Sequence, residues 1–236
     1  MIIQDEEAIE LNKRSHRRPP RQLPVRPPRL SFCAYIFWTV CSFVGSLLIG
    51  IGYWLPYWIR GTLHQVIDVS FGSFRRCNYP TLDEQGRIQI VFECGRYRTF
   101  EDIPSFAWKV STILIGLGAA SSLLVAFILF FAFCMPHSLR STNARVLVNF
   151  QLVSFLLVLS GCALYPLGWG NQEVRDVCGT KTMAYEIGTC SLSDSAYMMG
   201  IGLLFLLFCL ILGLISVRKI RRQSEKQYNN LVILDR

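Results

Sequence analysis

A chain of 236 residues that is 52% hydrophobic and only 17% charged falls well below the roughly 25% charged share of soluble domains. Its formal net charge of +8 would ordinarily suggest a polyanionic partner. Both the charges and the apolar residues are segregated along the chain, however, which argues against nucleic acid as a partner and against a soluble all-helical core as the fold.

Residues 1–30 read as a basic, proline-rich tail. Within "RQLPVRPPR", Arg21, Pro24 and Pro27 fit one orientation of a PxxP ligand, and Pro24, Pro27 and Arg29 fit the other. Such segments favour the polyproline helix that SH3 domains dock. The alternative is a stiff basic spacer before the membrane.

Residues 31–217 form the folded domain. No Asp, Glu, Lys or Arg occurs in Leu30–Ile59, Val110–Leu139, Val146–Asn171 or Ser195–Val217. Each run reaches the ~20 residues a helix needs to cross the hydrocarbon core, where backbone polar groups must be satisfied within the segment. Spans are expected at about 31–58, 108–135, 146–169 and 196–217. The first run is far longer than the 7–15 apolar residues of a signal peptide and reads as a retained signal-anchor. The loops between are 59–107 and 170–195, and residues 218–236 form a second basic tail.

Small residues recur at helix spacing at Ser46 and Gly50, at Gly116 and Ala120, and at Gly200 with Gly202, a pattern that reads as close helix contacts in lipid. Asn149 and Gln151 in the third span need only a hydrogen bond to a neighbouring helix. Tyr53, Trp54, Tyr57, Trp58, Trp108 and Trp169 sit at span ends, where interfacial belts enrich such rings. No ionisable residue lies deep in a span, which argues against an ion path or proton relay.

Charge fixes the expected orientation. Residues 1–30, 135–145 and 218–236 carry net charges of +3, +2 and +4, whereas 59–109 and 170–196 carry +1 and −2. Basic flanks stay cytosolic, so both tails are expected inside and both long loops outside, in a multi-pass protein of the plasma membrane. The basic flanks would attract anionic lipid.

In the first loop, Val66–Phe74 is rich in β-branched and aromatic residues, Ile88–Phe92 alternates, and Leu82–Arg87 carries a turn signal, which together predict a small antiparallel sheet. Four of the nine cysteines lie in the loops: Cys77, Cys94, Cys178 and Cys190. Disulfides persist in that compartment, and four cysteines allow three connectivities. The local pairing, Cys77–Cys94 and Cys178–Cys190, is expected because each closes a short loop within one segment. Zinc would want closer spacing and histidine, so no metal or other cofactor is expected. Arg75, Arg76, Arg96 and Arg98 read either as a solvated, internally paired face or as a partner surface. The three histidines, His16, His64 and His137, belong to no nucleophile–base–acid set, and no phosphate loop or HExxH occurs. No enzymatic activity is expected.

Pro56-Tyr57-Trp58, then Gly72-Ser73-Phe74, then Cys77 and Cys94, resembles the first-loop signature of the claudin superfamily. Phe74 stands where claudins have tryptophan, and Ser73 where they have leucine. "PYWI", "FGSFRRCNYP", "ECGRY", "IPSFAWK", "GCALYPLGW", "EVRDVCG" and "GTC" together resemble the lipoma HMGIC fusion partner-like tetraspan family over roughly residues 31–217, nearest its founding branch. The resemblance implies a left-handed four-helix bundle capped by an extracellular β-sheet, with the same two local disulfides. It also implies a non-enzymatic partner of other integral membrane proteins, since one branch belongs to the hair-cell mechanotransduction complex and another is an auxiliary subunit of GABA-A receptors. The expected role is an auxiliary or scaffolding subunit that assembles, traffics or modulates a channel or receptor. The alternative is a claudin-like junction protein, which would self-associate as a homo-oligomer.

Overall fold

The computed structural model describes residues 29–63, 66–82, 88–134 and 141–234. Arg21, Pro24 and Pro27 of the PxxP segment lie outside the described residues, as do His64, the expected turn at 83–87 and the connector 135–140; Arg29 opens the first helix.

Four long helices form the body: α1 (Arg29–Trp54), α2 (Phe106–Cys134), α3 (Ser141–Leu164) and α5 (Asp194–Leu234). Within them Cys33–Trp54, Phe106–Ala132, Ala144–Gly168 and Asp194–Lys219 are long and apolar enough to cross a membrane. The first helix stops at Trp54, short of residue 58, because Pro56 has no N–H to donate and disfavours helical geometry at Leu55. The third gives way to a 3-10 turn at Tyr165–Gly168 that contains Pro166. The fourth does not stop at residue 217. It runs on to Leu234, carrying Arg218, Lys219, Arg221 and Arg222 on a continuous helix braced by an exposed Arg221–Glu225 pair at i,i+4.

Helix α1 packs most extensively on α5, and α2 on α3. Lipid offers no hydrophobic drive between helices, so close backbone approach has to supply the attraction. On the α1–α5 seam a Cβ at Gly202 would stand 3.2 Å from Ile49 N and 3.3 Å from Gly45 O. On the α2–α3 seam a Cβ at Gly118 would stand 3.0 Å from Val158 N, and one at Gly161 would stand 3.1 Å from Ser111 O. The small residues in use thus differ in part from those expected: Gly50 and Gly200 face open space, and Ala120 is exposed. Gly116 abuts the Tyr53 ring, and Ser46 is buried. Deeper in the bundle, Gln151 accepts from Trp38 Nε1 at 2.9 Å and donates to Ser42 Oγ at 3.0 Å, and Asn149 is exposed.

A five-stranded antiparallel sheet caps one end of the bundle, in the order β4-β3-β2-β1-β5. Strands β1 (Ile59–Leu63), β2 (Ile67–Phe71), β3 (Arg75–Leu82) and β4 (Ile88–Arg96) come from the first loop. Strand β5 (Ser191–Leu192) comes from the second loop and pairs with Arg60 and Ile59 of β1. The second loop also forms a short helix, α4 (Gln172–Cys178), capped by the Asn171 side chain, which accepts from Val174 N at 3.0 Å. Alternation along β1 buries Ile59, Gly61 and Leu63 against the bundle and exposes Arg60 and Thr62. The chain is therefore a tetraspan membrane protein with a claudin-like sheet, four of whose strands lie between its first and second helices.

Gly202→Leu is expected to force α1 and α5 apart at a cost of about 1–3 kcal/mol, typical of overpacking. Gly50→Leu, pointing into open space, is expected to leave stability near wild type. Unfolding of the purified protein in bicelles measures both, and equal effects from the two would place the critical contact elsewhere.

Candidate functional site

The candidate site is the sheet platform and the clamp that fixes it to the helix ends. Trp58 donates through Nε1 to Gly52 O at 2.7 Å, and its ring lies 4.7 Å from that of Tyr165. Tyr165 stacks on Trp108 with centroids 5.1 Å apart and planes within 4°. Trp108 Nε1 donates to Tyr165 O at 3.0 Å, and the Tyr165 hydroxyl donates to Gly72 O at 3.2 Å. Trp58, Trp108 and Tyr165 are all buried, so the first two are keystones under the sheet rather than belt residues. Trp54, at 61% exposure, stays on the outside at the end of α1, with Phe74 and Arg75 beside its ring.

The remaining signature residues hold the β2–β3 turn on the end of α1. A Cβ at Gly72 would stand 2.8 Å from Pro56 Cα and 3.0 Å from Leu55 O, so only glycine lets these two segments touch. Phe74 lies 4.9 Å from the Tyr53 ring and 6.1 Å from the Trp54 ring. Thr112 of α2 donates to Ser73 O at 2.8 Å. Pro56, Trp58, Gly72 and Phe74 therefore position the sheet.

Cys77 and Cys94 stand directly opposite each other in β3 and β4 and are bonded. Cys178 at the end of α4 is bonded to Cys190 just before β5. This second bridge is buried against β1, where a Cβ at Gly61 would overlap Cys190 Sγ. Both loops are thus cross-linked internally and packed on each other.

Of the four loop arginines, Arg75, Arg76 and Arg96 lie in the strands and divide between the two faces of the sheet, and Arg98 follows the end of β4. Directly paired residues in a ladder point to the same face. Ile59, Phe71, Arg76 and Gly95 form one row across the strands, with Ile59 and Phe71 buried in the core. Arg76 therefore points inward, toward α4. It makes an ion pair with Glu173 at 2.5 Å and lies over the rings of Tyr79 at 3.8 Å and Tyr97 at 4.5 Å. Tyr97, itself buried, donates to the other Glu173 oxygen at 2.9 Å. Burial first, and then the charge of Glu173, raise the Tyr97 phenol well above its ordinary range, which keeps it a protonated donor. Of the readings open from the sequence, pairing within the first loop does not hold for Arg76, which pairs across loops with a partner 97 positions away.

Arg60, Ser70, Cys77 and Cys94 form a second row, on the other face. Arg75 pairs with Arg96, two positions along on that same face. Opposed like charges repel, and Arg75 leans away over the Trp54 ring, 5.2 Å from its centroid. Arg60, Arg96 and Arg98 are exposed. Arg60, Tyr57, Asp68, Ser70 and Asn78 line an open cleft of about 210 Å³ beside the Cys77–Cys94 bridge. Asn78 sits there at a positive φ of 53°, at the irregularity in the β3–β4 register, and donates to Asp68 O at 2.8 Å. Arg60, Glu173, Tyr97 and Tyr165 were not singled out from the sequence. Alternation along β1 could have flagged Arg60, but no spacing connects Glu173 to Arg76 or Tyr165 to Gly72.

Glu173→Gln and Tyr97→Phe are expected to loosen α4 from the sheet. A hydrogen bond to a charged group contributes about 1.5–3 kcal/mol, so amide exchange in α4 should speed up by roughly 10- to 100-fold. Unchanged exchange would show that the second disulfide alone holds the helix. Cys77→Ser is expected to leave Cys94 unpaired and to reduce delivery to the cell surface, read by surface biotinylation.

Comparison with known proteins agrees with this architecture. The family described as "Lipoma HMGIC fusion partner-like protein" matches residues 34–218. The chain is 27% identical over 206 residues to "LHFPL tetraspan subfamily member 2a protein" of Danio rerio, covering 82% of this chain and 90% of that one. It is 28% identical over 172 residues to "LHFPL tetraspan subfamily member 4 protein" of Mus musculus, covering 72% of this chain and 66% of that protein's length. It is also 28% identical to "LHFPL tetraspan subfamily member 3 protein" of Xenopus laevis, covering 72% of this chain and 74% of the relative. With the family match running from the first span to the end of the fourth, the chain belongs to the lipoma HMGIC fusion partner-like family of tetraspan membrane proteins.

Proposed function

We propose that the protein is a non-enzymatic auxiliary subunit that assembles, traffics or modulates a channel or receptor in the plasma membrane, with both tails in the cytosol. The observation that carries this reading is the clamp. The Trp58–Tyr165–Trp108 rings, Gly72 against Pro56, and the Arg76–Glu173–Tyr97 cluster join the sheet to the ends of α1, α2 and α3 and to α4, and the Ser193 and Ser195 amides, donating to Trp58 O and Tyr57 O, tie in the start of α5. A platform held in this way transmits a contact made on its outer face to the helices, and the reverse. The outer face presents Arg60, Arg75 and Arg96 on one side of the sheet, suited to an acidic surface on a partner's ectodomain. Around the bundle, exposed apolar side chains such as Phe37, Leu117, Phe150 and Leu204 meet lipid or a partner's helices. Membership of the founding branch rests on the loop motifs alone.

A junctional role is the second reading. Among the described residues, β4 at the edge of the sheet has one neighbouring strand, and Phe92 on it is 70% exposed. Such an edge is a template for pairing with another chain.

Proximity labelling from the first loop, followed by purification in mild detergent and mass spectrometry, separates the two. The auxiliary reading predicts one channel or receptor recovered at fixed stoichiometry, with recovery lowered at least severalfold by Arg60→Glu with Arg96→Glu. Recovery of mainly the protein itself, with label concentrated at cell borders, would replace it with the junctional reading. Tags on both tails are expected to be inaccessible from outside intact cells, and labelling of either would overturn the orientation.

A further inference from the structure

We propose that the tip of the second loop, residues 183–186, is an anchor in the membrane interface, with Met183 and Tyr185 seated against phospholipid beside the sheet end of α3. The Cys178–Cys190 bridge closes the intervening residues into a ring. Thr182 is buried, its hydroxyl donates to Gly179 O at 3.1 Å, and Ile187 packs on the core, so both legs of the ring are fixed. Between them the chain turns sharply: Met183 N donates to Glu186 O at 3.1 Å and Glu186 N to Met183 O at 3.0 Å. The turn runs down the flank of the third helix. Met183 Cα lies 3.9 Å from where a Cβ on Gly170 would stand. Tyr185 N donates to Pro166 O at 3.2 Å, and the Tyr185 hydroxyl donates to Ala163 O at 2.8 Å.

Those contacts fix the depth of the tip. The third span, Ala144–Gly168, covers about 37 Å at 1.5 Å per residue, so it overreaches a hydrocarbon core of about 30 Å by roughly 3–4 Å at each end. Ala163 stands more than one helical turn inside Gly168, which puts the Tyr185 hydroxyl at the boundary between acyl chains and headgroups, where amphipathic rings are favoured. Met183 and Tyr185 are each 60% exposed, and at that depth the exposed surface of a spanning protein meets lipid. Leu167 on the neighbouring turn is exposed as well. The charges of the ring, Lys181 and Glu186, are exposed on either side of the tip. Glu186 pairs with Met183 beside Gly170, beyond the end of the span, which keeps its carboxylate at headgroup level.

The Ala163 carbonyl accounts for the tyrosine. Ala163 is among the last four residues of α3, whose carbonyls lack an i+4 partner, and a free carbonyl facing hydrocarbon is costly. The Tyr185 hydroxyl supplies the donor and leaves the apolar ring toward lipid. To reach it, Tyr185 takes a φ of 64°, a left-handed backbone that a bulky side chain rarely adopts. In a loop facing water, glycine or asparagine would fill this position without strain.

The full-length protein carrying a photoreactive benzoylphenylalanine at position 183, irradiated in phosphatidylcholine nanodiscs, tests this. Phospholipid adducts on the peptide holding residues 182–187 are expected, at least about fivefold above those from the same amino acid at position 62, which is exposed on β1. Tyr185→Asn suits the left-handed backbone but removes the ring and its reach to Ala163, so it should lower the adduct yield at least about threefold. Tyr185→Phe removes the hydroxyl alone, and amide exchange at residues 183–186 should speed up by about three- to tenfold, the loss of one hydrogen bond. Both disulfides and a monodisperse profile are checked in each variant. If Tyr185→Asn does not fold, Tyr185→Phe and the comparison of positions 183 and 62 decide. Equal adduct yields at those two positions would overturn the proposal, as would lipid adducts that Tyr185→Asn leaves unchanged. Cross-linking of position 183 to a second copy of the chain in place of lipid would assign the tip to a self-contact instead.

Discussion

Everything above the helix ends hangs on one contact, the parallel stack of Trp108 on Tyr165 with its two hydrogen bonds. A β-hairpin by itself is marginal in water, and the loop strands have no second sheet to bury their inner face. The stack solves this by making the tops of α2 and α3 into a flat aromatic floor. Ile59, Val69 and Phe71 of the sheet belong to the same buried cluster as Trp108 and Tyr165. The core of the sheet and the core of the bundle's upper half are thus one body. Gly72 belongs to the arrangement because its carbonyl receives the Tyr165 hydroxyl while its missing side chain admits Pro56.

The two disulfides play unequal parts in that body. Cys77–Cys94 joins residues already opposite one another in a ladder and lies on the row with Arg60, away from the core. It fixes the register of the outer hairpin. Cys178–Cys190 lies in the core, against Gly61, and shapes the second loop so that β5 can reach β1. The second loop then adds Glu173 under Arg76. A surface ion pair would contribute about 0–1 kcal/mol, but this one is partly buried, shared with a tyrosine hydroxyl and covered by two rings, which places it in the stronger class of charge-assisted bonds.

Much of this was legible in the chain. Charge-free runs gave four spans, and alternation with turn residues gave a sheet. Helix ends were less legible, because composition does not register the stop imposed by Pro56 or the continuation of α5 through a basic segment. Small-residue spacing pointed to the right kind of contact but in part to the wrong glycines. A lone sequence cannot say which face of a helix meets another helix, and Gly45 and Gly202 do so while Gly50 and Gly200 do not. The aromatic residues were the hardest to place. Trp54 and Trp58 are four positions apart and equally suited to an interface, yet Pro56 turns the chain between them, so that one ring stays outside and the other goes under the sheet. Contacts such as Arg76 with Glu173 join segments far apart in the chain and leave no local trace.

Helix α5 begins where the sheet ends. Ser193 N donates to Trp58 O and Ser195 N to Tyr57 O, and from there 41 residues continue to Leu234 in one helix. At 1.5 Å per residue this is a rod about 60 Å long, roughly twice the thickness of the hydrocarbon core. Its basic turn, Arg218 to Arg222, stands at a height set by the sheet contact at the other end. Each such charge near an anionic surface is worth about 1 kcal/mol. The rod is in effect a gauge of bilayer thickness: in a membrane too thick or too thin, either the sheet or the basic turn is displaced from its preferred depth. The elevation of the platform above the lipid is thereby a property of the membrane as well as of the protein.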